Sequence, residues 1–397
     1  MKEGWEYKKL KDVATFTRGL TYSKNDEVEV SNNIVLRSNN VDLSTGKLNF
    51  DELKYLRPEF SVPEEKRVKK GSLLMCMSNG SKIHLGKVAL INEDYPYAFG
   101  GFMALVTPNE KLNPQFFHYS LSSPEYKDFI KQLSAGANIN NIKVKELELF
   151  TIPVPPLSEQ QRIVDYLDSA FAKIDAMKAN AEKSLNEAKA LFQASLKEML
   201  EPKEGWEEKT LKDISIISGN YGLSVPSTEY NGVRYLRITD ITEWGDLNDE
   251  KVSAKLDEEK GQELLEEGDL LFARTGATVG KTLMYKEAFG KCLFAGYLIR
   301  YRLNKEIVLP KYMFYITHSD NYYKWVLENQ KAAAQPNISA KLYNEYVVSY
   351  PSISEQQSIV ATLDSLKSKV DRLQANFDKI SQECDTLKQA ILRQVFE

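Results

Sequence analysis

Cysteine is scarce in this chain of 397 residues: Cys76, Cys292 and Cys384 are the only three, at unrelated points. That excludes a disulfide framework and suits a reducing cytoplasm. The three histidines, His84, His118 and His318, are isolated and lack ligand spacing, which argues against a zinc centre. No apolar run approaches the ~18–20 residues of a membrane span, and Met1-Lys2-Glu3-Gly4 opens no apolar signal region. The expected setting is the cytoplasm, away from membranes. A basic surplus is missing too: 52 Lys and Arg stand against 56 Asp and Glu, a formal net charge of −4. Residues 1–156 carry 21 basic against 19 acidic side chains, and residues 202–352 carry 19 against 22. A chain holding nucleic acid alone through phosphates usually shows a surplus, so any such surface must be local or shared with a partner.

What the chain does have is duplication. Ser-Glu-Gln-Gln occurs at 158–161 and again at 354–357. Gly4-Trp5-Glu6 with Leu10-Lys11-Asp12 returns as Gly205-Trp206-Glu207 with Leu211-Lys212-Asp213, and Leu36-Arg37 as Leu236-Arg237. Gly71-Ser72-Leu73-Leu74 returns as Gly268-Asp269-Leu270-Leu271, Gly86-Lys87 as Gly280-Lys281, and Asn141-Ile142 as Asn337-Ile338. Two copies of one unit follow each other, each an irregular domain closed by a helix. The division is 1–156, 157–201, 202–352 and 353–397.

After Ser354, apolar residues recur at Ile359, Leu363, Leu366, Val370, Leu373, Phe377, Ile380, Cys384, Leu387 and Ile391, alternately four and three apart. That is a heptad seam. The first copy has a thinner one, Ile163, Leu167, Ala170, Ile174, Met177, Ala181, Ser184, Ala188 and Leu191, with Leu185, Phe192 and Leu196 offset to one side. Serine followed by Gln161 or Gln357 reads as a capping box. Helices of about 40 residues, roughly 60 Å long, need partners for their apolar faces. Pairing with each other, antiparallel, is more economical than an independent dimerisation coil, because each helix closes its own domain. The halves between are mixed, with strands at 33–37, 73–77 and 233–237 and short proline-started helices at 114–121 and 310–317. The fold class is therefore α+β: two tandem mixed domains and two long helices in an antiparallel coiled coil, as a pseudo-twofold repeat.

Gly276-Ala277-Thr278-Val279-Gly280-Lys281-Thr282 imitates a phosphate-binding loop but is one residue short, and the first copy ends in Val88 without the hydroxyl. Asn113-Pro114-Gln115-Phe116 brushes against an amino-methyltransferase motif, but a helix-starting proline explains it better. No nucleophile-and-base pair is visible, so a self-contained methyltransferase or nuclease lacks its motifs.

The ordered, doubled set of Gly-Trp-Glu, Leu-Lys-Asp, Leu-Arg, Gly-(Ser/Asp)-Leu-Leu, Asn-Ile and Ser-Glu-Gln-Gln resembles the specificity (HsdS) subunit of type I restriction–modification enzymes. The resemblance covers essentially the whole chain. It implies two target-recognition domains, each reading one half of a split site in double-stranded DNA, and a helix pair on which two modification subunits dock. Those would carry S-adenosylmethionine, and restriction subunits, using ATP and Mg, would join them. The chain itself would hold no cofactor, no metal and no catalytic residue. Arg37, Ser38, Asn39 and Asn40, and in the second copy Arg237, Thr239 and Asp240, end a strand and are candidate base or phosphate readers. Alternatively, each arginine pairs with a framework carboxylate. Divergent loops give further candidates: Ser78, Asn79, Ser81 and Lys82 against Arg274, Thr275, Thr278 and Lys281. Tyr22, Lys24, Tyr221 and Ser224 follow the first strands, and Asn138, Asn140, Gln335 and Asn337 precede the closing elements. The coiled-coil residues named above are expected to hold the helix pair or its partners. A scaffold that has lost DNA reading is the competing interpretation, favoured by the −4 charge.

Overall fold

The computed structural model describes residues 4–135, 141–256, 263–330 and 336–397. The chain divides into two compact units, Met1–Ala181 with Phe377–Glu397, and Glu182–Asn376.

In the first unit, Leu73, Leu74, Met75 and Cys76 are all fully buried. Successive strand side chains point to opposite faces. Leu73 and Met75 therefore enter one core and Leu74 and Cys76 another, each buried side chain contributing about 1.5–3 kcal/mol. Strand Leu73–Cys76 pairs antiparallel with Met103–Pro108 and Val88–Leu90, and Ala14–Arg18 completes the sheet. A second sheet runs Glu27–Val28, Lys54–Leu56, Asn33–Leu36, Ala98–Phe99, its last pair parallel. The second unit repeats the main sheet with Ser215–Tyr221, Leu298–Leu303, Leu270–Ala273 and Thr282–Met284, and keeps the parallel pair Arg234–Leu236 with Cys292–Phe294. The proline-started helices are Pro114–Ser120 and Pro310–Ile316.

The long helices are Leu157–Leu200 and Ile353–Phe396, 44 residues each, so roughly 66 Å long. Within the first unit they run antiparallel: Leu392 and Phe396 share a core with Ile163, Val164 and Leu167, and Cys384 Sγ lies 3.7 Å from the Ile174 carbonyl. Within the second unit Lys189 Nζ donates to Gln374 Oε1 at 2.9 Å, in the same sense.

The expected capping boxes are absent. Each helix starts early enough to put Ser158 and Ser354 inside its first turn. The first glutamine of each motif is used differently. Buried Gln160 accepts the Asn113 N–H at 2.8 Å and donates to the Lys111 and Pro155 carbonyls. Gln356 does the same with the Leu309 N–H and the Ile307 and Pro351 carbonyls. Ser-Glu-Gln-Gln thus fastens each helix to its own globular part.

The seam also departs from a strict heptad. Ile163, Leu167, Ile174, Leu185, Phe192, Ile359, Leu363 and Val370 are buried, and Leu366, Leu373, Phe377, Ile380 and Ile391 are half-buried. Leu191 and Leu387, however, are 58% and 47% exposed. Buried Ile163, Ile174, Leu185 and Leu196 stand eleven residues apart, as do Ile359, Val370 and Leu392 around half-buried Ser381. A seven-residue spacing drifts by ~20° per repeat on a straight helix, whereas eleven residues make three near-ideal turns. Leu387 and Leu191 have rotated out of the seam.

Candidate nucleic-acid interface

In the first unit, strands Asn33–Leu36 and Leu73–Cys76 deliver their loops to one place. Ser38 Oγ accepts from Asn79 Nδ2 at 2.7 Å and lies 3.4 Å from Cys76 Sγ. Tyr22 and Arg37 both flank Gly100, where an added Cβ would sit 3.7 and 3.8 Å from their side chains. Arg37 Nε is buried without a hydrogen-bond partner among the described residues, and burial raises the Tyr22 pKa. Ser78 bridges to Asn141. The Phe102 carbonyl accepts the Met77 and Ser78 N–H groups, leaving its ring 72% exposed beside them.

Other candidates lie apart from this cluster or are spent inside the fold. Asn40 is buried: its Oδ1 accepts the Arg37 N–H at 2.8 Å, and its Nδ2 donates to the Asn49 and Glu52 carbonyls at 2.9 Å. It caps the turn after the strand and has no group left for a base. Asn39 donates to the Glu52 carboxylate, Asn79 Oδ1 accepts the Ser81 N–H, and Lys82 Nζ reaches the Ser134 carbonyl. Lys24 is exposed. Asn138, Asn140 and Gln335 lie outside the described residues.

The second unit uses the same backbone with other side chains. Arg237 follows the carboxylate-paired alternative: it contacts Asp240 at 2.7 Å and Glu250 at 3.1 Å, and the bond to Asp240 raises its pKa further. Asp240 is buried and caps the Arg237 N–H at 2.8 Å, as Asn40 does, so it too is framework. Arg274 instead places its guanidinium carbon 4.9 Å from the centre of the Tyr221 ring, whose hydroxyl accepts the Ala340 N–H. The Arg274 N–H donates to the carbonyl of Tyr297, a residue 59% exposed. Thr275 bridges to Asn337, whose Oδ1 is buried without a partner among the described residues. Thr278 donates to the Thr275 carbonyl. Ser224 Oγ packs against Gly296, 2.8 Å from where a Cβ would stand. Thr239 offers its carbonyl to Asn248, and Lys281 pairs through its backbone with Ala273.

Phe102 and Tyr297 were not among the sequence candidates. Each follows a glycine at matching repeat positions, Gly101-Phe102 and Gly296-Tyr297. The turn carrying them is approached so closely that a Cβ on Gly19 would lie 2.0 Å from the Gly100 carbonyl, and one on Gly222 2.3 Å from that of Phe294.

Residues 2–187 and 203–381 each match the family described as the type I restriction modification DNA specificity domain. This chain belongs to that specificity family. The EcoKI specificity subunit of Escherichia coli K12 is 31% identical to it over 100% of this chain and 89% of its own length. The StySPI specificity subunit of Salmonella potsdam is 26% identical over the same shares. Among solved structures, a chain from a study of complex assembly and conformational transition in a type I R–M system superposes with a TM-score of 0.75, at 20% identity, covering 100% of this chain and 98% of that one. The HsdS subunit of Thermoanaerobacter tengcongensis gives 0.59, also at 20%, covering 100% and 97%. The specificity fold, two mixed domains with paired long helices, is thus common to all three. Among the described residues, no helix of this specificity-family chain is long and apolar enough to cross a membrane.

Proposed function

We propose that this chain is the DNA-recognition subunit of a type I restriction–modification complex. Residues 1–156 and 202–352 each read one half of an asymmetric, bipartite site in duplex DNA. Residues 157–201 and 353–397 set the gap and dock two modification subunits, which restriction subunits join. Methyl transfer from S-adenosylmethionine and ATP- and Mg-dependent cleavage belong to those partners, working in the cytoplasm, and this chain catalyses neither.

One observation carries this reading: the specificity domain is matched twice, and equivalent strand-end loops carry unlike polar groups. Arg274 stands with its guanidinium carbon 4.9 Å over the Tyr221 ring, and a guanidinium can bond guanine O6 and N7 together. The first unit has Asn79 beside Ser38 and Arg37 instead. Unlike readers on one backbone suit unlike half-sites. Exposed Phe102 and Tyr297 add apolar faces for a thymine methyl or a sugar. Modification subunits clamping the duplex would supply the phosphate contacts that a chain at −4 lacks.

The test is methylation mapping by long-read sequencing of host DNA, with and without this chain, its modification subunit present throughout. The expected result is N6-methyladenine at one split, asymmetric motif that disappears without the chain. No chain-dependent motif, with the partner confirmed active, would sink the reading in favour of a protein-binding scaffold.

A further inference from the structure

The second unit packs a half-buried aromatic plug against its helix pair. Trp244 stacks on His318 with ring centroids 4.8 Å apart and planes 12° from parallel. Its ring meets Phe192 edge-on at 5.3 Å, and Lys367 Nζ lies 5.3 Å over its face. The first unit has the same frame: Tyr126 and Tyr322 donate to the Gly86 and Gly280 carbonyls at 3.0 Å, and Tyr119 and Tyr315 donate to Asp168 and Asp364. Gly46 and Gly245 head matching turns, packed on His118 and Phe314. That register puts Thr45 where Trp244 stands and Ser122 where His318 stands. Tyr323 and Leu327 become Lys127 and Lys131, Asp246 becomes Lys47, and on the helix pair Phe192 and Lys367 trade places as Lys388 and Phe171. The plug has been removed and its surroundings made basic.

What remains is a cavity of about 940 Å³ in the first unit, within the roughly 300–1,000 Å³ of small-molecule sites. Leu85, Leu90, Ile130, Phe171 and Leu392 supply its apolar lining. Six lysines face three carboxylates there: Lys47, Lys82, Lys87, Lys127, Lys131 and Lys388 against Asp42, Asp168 and Asp175. Those carboxylates are engaged, Asp42 by Ser44 and Thr45, Asp168 by Tyr119, and Asp175 by Lys388. Lys82 and Lys87 spend bonds on backbone carbonyls. Lys47 and Lys131, and Lys127 with the Asp385 charge near it, remain to meet a multiply charged anion. Phe171, with Tyr119 edge-on at 5.5 Å and Lys388 Nζ 5.5 Å over its ring, offers the rest of its surface to a flat ring.

We propose that this cavity binds a nucleoside phosphate, its base in the space that the Trp244 indole fills in the second unit and its phosphates on Lys47, Lys127 and Lys131. A single aromatic carboxylate would leave two of those charges unanswered, and bare phosphate would leave the apolar floor uncovered. The site shares Lys82 with the loop that follows strand Leu73–Cys76, but Lys47, Lys127 and Lys131 are not among the candidate readers, so nucleotide binding is tested without reference to DNA reading.

The experiment is calorimetric titration of the full-length chain with ATP, GTP and UTP, and with adenosine and inorganic triphosphate as half-ligands. Saturable binding of at least one nucleotide is expected, with both half-ligands at least tenfold weaker. The double variant Lys127→Glu/Lys131→Glu should weaken binding at least tenfold, and Thr45→Trp, which restores the plug, should abolish it. Melting curves confirm that each variant is folded; should Thr45→Trp not fold, the lysine variant decides alone. No binding of any of the three nucleotides, triphosphate binding as tightly as the best of them, or binding unchanged in the folded variants would overturn the assignment.

Discussion

Between the same two strands, the first unit places a pair of hydroxyls and the second a buried ion network. Ser72 Oγ and Thr107 Oγ1 lie 2.9 Å apart. At the matching positions Asp269, 1% exposed, receives Arg302 Nε at 2.7 Å and Nη2 at 2.9 Å, with buried Arg300 at 3.9 Å. Glu263 closes the network on Arg300 at 2.6 Å and has its pKa lowered by that bond. The contrast shows that one backbone tolerates two electrostatic solutions of very different fragility. Deleting one member of a buried ion set strands a charge, whereas deleting a hydroxyl loses one modest bond.

The largest expected effect follows from that contrast. Asp269→Ala should destabilise the second unit by about 3–5 kcal/mol, and Ser72→Ala the first by about 1 kcal/mol. Urea unfolding followed by hydrogen exchange in each unit measures both, and equal losses would break the comparison.

Acid comes next. His118 is buried, neither ring nitrogen makes a well-formed hydrogen bond, and burial pushes its pKa from 6.5 to about 4 although the Gly46 and Val88 carbonyls work against this. Between those values the unfolded chain binds the extra proton. Stability is therefore full above pH 6.5 and falls as pH drops towards 4, by up to about 3 kcal/mol for this group. His118→Phe, copying Phe314, should remove that part of the acid sensitivity, as followed by melting temperature against pH. His318, its pKa also lowered by burial, leaves the second unit sensitive in the same direction.

Third, the two arginines of the second unit should separate. Arg274→Ala should weaken binding of the cognate duplex by about 1–3 kcal/mol and relax specificity in one half-site, leaving the melting temperature nearly unchanged. Arg237→Ala should lower stability first, because it leaves buried Asp240 unpaired. Gel-shift titration beside thermal melting distinguishes the two. The smallest difference is between Gln160→Ala and Gln356→Ala. Each should cost about 1–3 kcal/mol in urea unfolding, within error of the other, since both clamps make the same three bonds.

Much of the architecture could be read from sequence because it is written twice. Doubled Ser-Glu-Gln-Gln located both long helices, and matching prolines located Pro114–Ser120 and Pro310–Ile316. Polar residues at strand ends were harder. Asn40 and Asp240 have the composition of base readers, yet both face inward as caps, and only the folded loop separates these uses. Ser158 fits a local capping pattern that tertiary bonding through Gln160 overrides. Phe102 was hidden because an exposed aromatic and a core aromatic look alike in one dimension. The cavity was hidden because it consists of residues that are absent, and Thr45 means little until Trp244 is laid over it.

The first unit is built from two separated stretches of chain, with residues 182–376 between them. Leu392 and Phe396 complete a core begun by Leu10 and Val13. A ribosome adding about 5–20 residues per second needs roughly 10–40 s to bridge that interval. Throughout it, the newborn amino-terminal half displays Ile163 and Leu167 without their cover. A nonsense codon anywhere between 182 and 391 would therefore injure the part of the protein made first.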